Sequence, residues 1–502
     1  MISETLQKAR DFEKQYVPRV PVEDRPAFHL TGGIGWINDP NGFSRYKGEY
    51  HLFFQYHPYS TLWGPMHWGH VKTKDFIRWE RLPVALAPDT EADPDGCFSG
   101  SAIELPDGRQ LLMYTGVKRV RQEDGALLEY QTQCVAIGDG VDYEKCTENP
   151  VISGTDVPDG GSELDFRDPK IWAEDGTYYA VIGNRCNDGS GAILLYKSED
   201  AVRWQFVTVL DASQNEYGRM WECPDFFPLD GKQVLLVSPQ EMRPIGLEFH
   251  AGYGTVCMIG AYDKENHCFT REQVQAIDYG IDFYAPQTLE TYDGRRVMIA
   301  WMQNWTTSSS QPHDVYCFGE MTLPRDLSIR NGRLIQNPVR ELENYRGRRV
   351  AYEDIPINNE EITLPGIRGR FLDLTVSIRP RYDGSYSRFA IKLAMDGERH
   401  TTVRYRPHTG TIRVDRSRCG FPHDIVHVRE FNVRPRSGKL KIRAILDRHS
   451  AEFFFNDGEQ AATFVLYTEV NADAISFVAE GFVMMNVEQY ELFVKGSEKE
   501  AL

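Results

Sequence analysis

A chain of 502 residues exceeds what one hydrophobic core usually fills, so two domains are the starting expectation. The formal charge of −17 divides unevenly: residues 1–350 hold 35 Lys plus Arg against 51 Asp plus Glu, net −16, whereas residues 351–502 hold 21 against 22, net −1. An acidic first part beside a near-neutral second offers no basic surface for nucleic acid or an anionic membrane, which leaves a neutral or cationic small molecule as the expected partner.

The opening Met1 to Tyr16 reads as a charged helix without the apolar segment of a signal sequence, and residues 1–25 are assigned to an N-terminal helical extension. No run further along approaches membrane-spanning length, so a cytoplasmic location is expected. From residue 26 to residue 336, helix signals give way to short β-type runs between Gly, Asp, Asn and Pro turns.

Five of these runs start at a glycine: Gly48, Gly108, Gly176, Gly231 and Gly294, separated by 60, 68, 55 and 63 residues. Four follow Asp and one follows Lys47, as strands leaving tight turns do. Other Asp-Gly pairs occur at Asp95-Gly96, Asp124-Gly125 and Asp457-Gly458, so the turn alone says little. What marks a repeat is turn, apolar run and spacing together, with an upstream acid in three of the five units. Asp39 lies nine residues before its glycine, Asp168 eight and Glu222 nine, while Ser99 and Ala285 hold the ninth place in the other two. If five units close around an axis, these positions form a ring at one end of a central channel. A second echo places Asp75 four residues before Trp79 and Asp200 four before Trp204.

Asn337 to Arg348, with Pro338 near its start, reads as a helical connector, and residues 337–350 are taken as the linker. Beyond it, Phe371 to Ile378, Leu440 to Leu446, Ala451 to Phe455 and Ala474 to Ala479 alternate with period two. Residues 351–502 therefore read as an antiparallel β-sandwich with a structural role, one edge or face of which could pair two copies of the chain. The fold class is all-β: a five-bladed β-propeller, then a C-terminal β-sandwich, with a short N-terminal helix.

The three acids have distinguishable surroundings. Asp39 sits in Trp36-Ile37-Asn38-Asp39-Pro40-Asn41-Gly42, beside a large aromatic and a backbone-fixing Pro, which suits a positioned nucleophile. Asp168, in Phe166-Arg167-Asp168-Pro169-Lys170, would be held ionised by its neighbour Arg167 and accept hydroxyl hydrogen bonds from a sugar. Glu222, between Trp221 and Cys223, is the best candidate acid, because apolar walls favour the protonated form needed at a leaving oxygen. Two acids in different environments are the minimum for glycoside hydrolysis. Trp36, Trp63, Phe98, Tyr284 and Trp305 are the aromatics expected against a sugar ring, with Asn38, Gln55, Ser99, Arg167 and Asp282 as polar companions. His51, His57, His67 and His70 match no common zinc spacing, and the nine Cys contain no Cys-x-x-Cys pair, so neither a metal nor a disulfide framework is expected.

These segments, together with Leu52 to Tyr56, Trp63 to His70, Phe98 to Ser101, Trp221 to Asp225 and Asp278 to Gln287, resemble glycoside hydrolase family 32, the invertases and fructanases, over nearly the whole chain. The resemblance is nearest to bacterial intracellular sucrose and sucrose-6-phosphate hydrolases. It implies a five-bladed propeller with a β-sandwich, Asp39 as nucleophile, Glu222 as general acid/base, Asp168 as transition-state stabiliser, and no metal or organic cofactor. Ile37 stands where the family more often has Met or Leu, and Gly32-Gly33 where relatives often carry Pro. The expected activity is a retaining β-fructofuranosidase acting on sucrose and short fructo-oligosaccharides. Rival readings are a strict sucrose-6-phosphate hydrolase, a fructosyltransferase, an inverting five-bladed glycosidase and a non-catalytic sugar-binding propeller.

Overall fold

The computed structural model describes residues 2–308, 315–421 and 424–494. Met1 of the expected helical extension and residues 495–502 of the expected sandwich lie outside the described residues. The N-terminal helix is Glu4–Tyr16, capped by the Ser3 hydroxyl, which accepts from the Leu6 N–H at 3.1 Å. It lays Leu6 and Ala9 against the first blade, and Arg10 donates to the Val84 carbonyl at 2.9 Å.

Each of the five glycine-led runs is the second strand of a four-stranded antiparallel blade: Glu49–His57, Gln110–Arg121, Thr177–Cys186, Lys232–Gln240 and Arg296–Trp301. The strand nearest the axis precedes it in every case: Gly35–Tyr46, Gly96–Glu104, Gly161–Glu174, Arg219–Leu229 and Tyr284–Glu290. Asp-Gly suits the connecting turns because the glycine lies at positive φ, +79° to +81° at Gly108, Gly176 and Gly294. The ring closes where Cys317–Phe318 pairs in parallel with Gly35 and Trp36, and where the Met321 N–H donates to the Leu30 carbonyl at 2.7 Å. Chain segments from both ends of the propeller thus share one sheet, which removes the open edge.

The Asp75/Asp200 echo is one turn used twice. Asp75 accepts the Ile77 and Arg78 N–H groups and Asp200 those of Val202 and Arg203, with Phe76 and Ala201 between them at φ +62° and +61°. His51 and His70 contact each other at 2.9 Å with His70 stacked on Phe53, and burial pushes both below the usual histidine range.

The linker differs from its sequence reading. Only Arg340–Tyr345 is helical, as a six-residue 3-10 turn with no side-chain cap, and Arg346–Asn358 is already a strand paired with Ala474–Leu492. The apolar Val350, Ile355 and Ile357 gain more from the sheet than the preceding residues could from an uncapped helix. Ala474–Leu492 organises the sandwich: its first half pairs with Tyr386–Asp396 and its second with Leu372–Pro380. Gly481, at φ +86°, marks the place where this strand passes between the two layers.

Propeller and sandwich are joined by buried charge. Arg325 in blade 5 donates to Glu452 at 2.6 Å and to Asp278 at 2.9 Å, with all three side chains fully buried. His29, ahead of blade 1, bridges Asp447 and Glu452 at 2.9 Å each.

Candidate active site

All five inner strands slip register at the same level. The interruptions fall between Ile37 and Pro40, Phe98 and Gly100, Arg167 and Lys170, Glu222 and Asp225, and Tyr284 and Gln287. A bulge re-aims side chains, and here it turns one residue per blade toward the axis. The bulged residues are Asp39, Ser99, Asp168, Cys223 and Ala285, all but Ser99 followed by Pro. Asp168, Cys223 and Ala285 are held at φ +66°, +48° and +53°, the kind of backbone strain that collects at functional sites. Counting back from the glycines put Glu222 in this ring. The structure instead gives that place to Cys223 and sets Glu222 one residue earlier, level with Arg167 and Tyr284.

Two layers of contacts result. In the first, Asp39 Oδ2 accepts from the Ser99 hydroxyl at 2.7 Å and lies 3.5 Å from Cys223 Sγ, while Oδ1 accepts from Asn38 Nδ2 at 3.1 Å. Asp168 Oδ2 accepts from the Cys223 N–H at 3.0 Å. In the second, Glu222 Oε1 takes both Arg167 Nε and Nη2, at 3.1 and 3.0 Å, and Oε2 accepts from the Tyr284 hydroxyl at 2.6 Å. The expectation that Arg167 would pair with Asp168 is therefore not met; its other donor serves Gln131 and Asp165, at 3.0 and 3.2 Å.

Burial pushes Asp39 up to about 6, with Glu222 adding repulsion and the Ser99, Asn38 and Cys223 hydrogen bonds pulling back. Asp168 is raised to about 7, again mainly by burial, with Arg167 opposing and Glu222 and Asp39 reinforcing. Ser99→Ala removes the strongest hydrogen bond holding Asp39 ionised, so the acidic limb of a kcat/KM–pH profile is expected to move to higher pH, and an unmoved limb would count against it.

The three acids line one cleft of about 280 Å³ with Asn38, Gln55 and Ser99. Trp63, Phe98 and Trp305 form its aromatic wall, Trp63 half-exposed at the rim and edge-on to Phe98 at 6.0 Å. Among the described residues Arg167 is its one basic residue. Trp36 and Tyr284 stand behind the wall: Trp36 donates to Asn38 at 2.8 Å, and Tyr284 lies behind Glu222, to which it donates, and behind Tyr253, which its ring meets edge-on. Asp282 does not belong to it. It is fully buried against the sandwich, where it accepts from Arg416 at 2.5 Å and the Val465 N–H at 2.8 Å. A carboxylate that locks two domains has the same sequence signature as one that faces a ligand, so the motif-rich segment around Asp282 does not separate the two. Sequence reasoning missed Glu129, Gln131, Gln240 and Tyr253, which also line the cleft. Gln131 lies on a third strand and Tyr253 outside the blade strands, so neither falls on the repeat that exposed the acids.

Residues 29–338 match the model of the glycosyl hydrolases family 32 N-terminal domain, and residues 341–493 match that of the family 32 C-terminal region. The chain belongs to glycoside hydrolase family 32. Among family members it is 35% identical to a sucrose-6-phosphate hydrolase of Zymomonas mobilis, over 97% of this chain and 94% of that one. It is 34% identical to a raffinose invertase of Escherichia coli, covering 90% and 92%. A family 32 β-fructofuranosidase of Bombyx mori, solved as a mutant in complex with sucrose, superposes with a TM-score of 0.83 at 33% identity, covering 99% of this chain and 100% of that one. Membership makes this chain a glycoside hydrolase, and its five blades and sandwich are the fold of those relatives.

Proposed function

We propose that this family 32 enzyme is a retaining β-fructofuranosidase that takes sucrose, and short fructo-oligosaccharides, as neutral substrates. Asp39 attacks the anomeric carbon of the terminal fructosyl unit while Glu222 protonates the departing glycosidic oxygen. The bond from carbon to the leaving oxygen breaks as the bond to Asp39 forms, and Glu222 then takes a proton from the water that releases fructose. Asp168 faces the same cleft and accepts hydroxyl hydrogen bonds that strengthen as positive charge develops on the ring, which favours the ionised forms of both aspartates. Arg167 and Tyr284 grip both oxygens of Glu222 and fix its aim.

The observation that carries the neutral-substrate reading is the charge balance of the cleft. Among the described residues, Asp39, Glu129, Asp168 and Glu222 line it against Arg167 alone, and that guanidinium is already matched to Glu222 and Asp165. Three neighbouring cations are matched as well: Arg119 to Glu129 at 2.9 Å, Arg185 to Asp165 and Glu241, and Arg219 to Glu241. A phosphate here would have to displace one of these carboxylates. The test is kcat/KM for fructose release from sucrose, sucrose-6-phosphate and a short inulin-type oligosaccharide at one ionic strength, with the released anomer followed by NMR. Sucrose is expected to equal or exceed the phosphate, with retained configuration. A preference of about 100-fold for the phosphate, ~2.7 kcal/mol, would overturn the neutral reading.

A further inference from the structure

The C-terminal sandwich carries a cavity of about 370 Å³ on its outer face, and its charge is opposite to that of the propeller. The face is formed by Tyr386–Asp396, Arg399–Arg406 and Thr411–Asp415 with the first half of Ala474–Leu492. Phe389, Ile391, Val403, Tyr405, Ile412 and Val414 point into the core, so strand alternation sends the intervening residues outward. One lateral row of outward residues runs Val478, Ala390, Arg404, Arg413, Glu430 in successive cross-strand register. Ala390 and Val478 give the cavity a small-residue floor, and Arg388, Lys392, Arg404, Arg413 and Arg418 rise around it.

These five cations face only two carboxylates within the cavity, Glu361 and Asp415. Lys392 is paired with Glu361 at 2.7 Å and Arg413 with Asp415 at 3.3 Å, while Arg388 reaches Glu480 beside it at 2.9 Å. Among the described residues, Arg404 and Arg418 make no ion pair or hydrogen bond to a carboxylate, and Glu430 acts on Arg404 only from a distance. Arg404 is placed worst: it lies directly opposite Arg413, and like charges in cross-strand register repel. Burial, then Arg406, Arg413 and Arg388, push the Arg404 guanidinium below its ordinary range, with Glu430 at the end of the same row opposing. His400, lining the same cavity, is likewise pushed down, by burial and by Lys392 and Arg418, with Glu361 opposing.

A chain of net charge −17 pairs three of these five cations and leaves Arg404 and Arg418 without an ion pair among the described residues. We propose that this cavity is an anion-binding site for a phosphate group, held by Arg404 and Arg418 over the Ala390–Val478 floor, separate from the fructosyl cleft. A tetrahedral dianion accepts forked guanidinium donors and removes the repulsion between Arg404 and Arg413 at once. The inference does not rest on the proposed sugar chemistry, since the cavity lies wholly in the sandwich.

Calorimetric titration of the full chain with inorganic phosphate, glucose 6-phosphate and glucose, at low ionic strength and neutral pH, tests it. Saturable binding of a phosphate probe, none of glucose, and at least about tenfold weaker binding by Arg404→Gln with sucrose turnover unchanged are expected. Arg418→Gln should act in the same direction, which covers a misfolded first variant. Equal affinity for both phosphates identifies the free ion as the ligand, and about tenfold tighter glucose 6-phosphate identifies a phosphosugar that also uses the floor. Absence of saturable binding, binding indifferent to both substitutions, or a response to a long polyanion alone would overturn the proposal.

Discussion

Asp39→Ala is expected to lower kcat/KM on sucrose by about 10⁵-fold, roughly 7 kcal/mol, while the protein melts no lower than the wild type. The first half follows from the absence of a substitute. Asp168 is fixed by the Cys223 N–H, and Glu222 is gripped on both oxygens, so neither can reach round to attack. The second half follows from linkage. A carboxyl raised from 3.8 to about 6 in the folded state is one whose ionisation folding disfavours, so it costs stability progressively as pH rises from 3.8 through 6, and at neutral pH its removal returns that cost. Because Asp39 faces an open cleft, its truncation leaves no closed cavity to offset the gain. Retention of a tenth of the activity would remove Asp39 as the nucleophile. Glu222→Gln is the contrasting control, expected to spare an activated aryl fructoside whose leaving group needs no proton.

The ring that brings these acids together was legible because blades repeat. The Asp-Gly turns and their apolar runs recur at blade spacing, and the acids sit at a nearly constant distance ahead of them. The offset was not legible. Inner strands of blades 3 and 4 reach their bulge eight residues before the glycine and the others nine, so a constant count merges Glu222 with the residue after it. That single residue separates two layers, a ring of Asp39, Ser99, Asp168 and Cys223 and a second of Arg167, Glu222 and Tyr284, and with them two environments for acids that look alike in sequence. Asp282 shows the converse. Its partner Arg416 lies 134 residues downstream in the other domain, and no local pattern in a strand reports a contact across that separation. The linker failed for a third reason: Arg346–Asn358 is a strand only because Ala474–Leu492 exists to pair with it.

Arg325→Met is expected to destabilise the whole chain by about 3–5 kcal/mol, measured as the shift in denaturant midpoint, because it leaves buried carboxylates with uncompensated charge. Arg325 donates to Glu452, Asp278, Gln336 and Thr463 from a position with no solvent access, and so holds blade 5, the loop ahead of it and two sandwich strands in one place. His29 supports Glu452 from the other side, and its own charge is secured by the two acids, which raise it to about 10 against the burial that opposes them. The pH dependence follows from the signs. A histidine raised from 6.5 contributes fully below 6.5 and loses its contribution as pH climbs toward 10. Asp447, lowered from 3.8 to about 2 by His29 and by backbone donors despite burial, contributes above 3.8 and loses its contribution as pH falls toward 2. Interface stability should therefore plateau between about 4 and 6.5 and decline on both sides. In Arg325→Met the loss should be smaller where Glu452, deprived of the guanidinium that lowers it, can take up a proton, so the variant's midpoint should approach that of the wild type as pH is lowered. A loss below about 1 kcal/mol at neutral pH would show that the Arg325 pairs contribute orientation rather than stability.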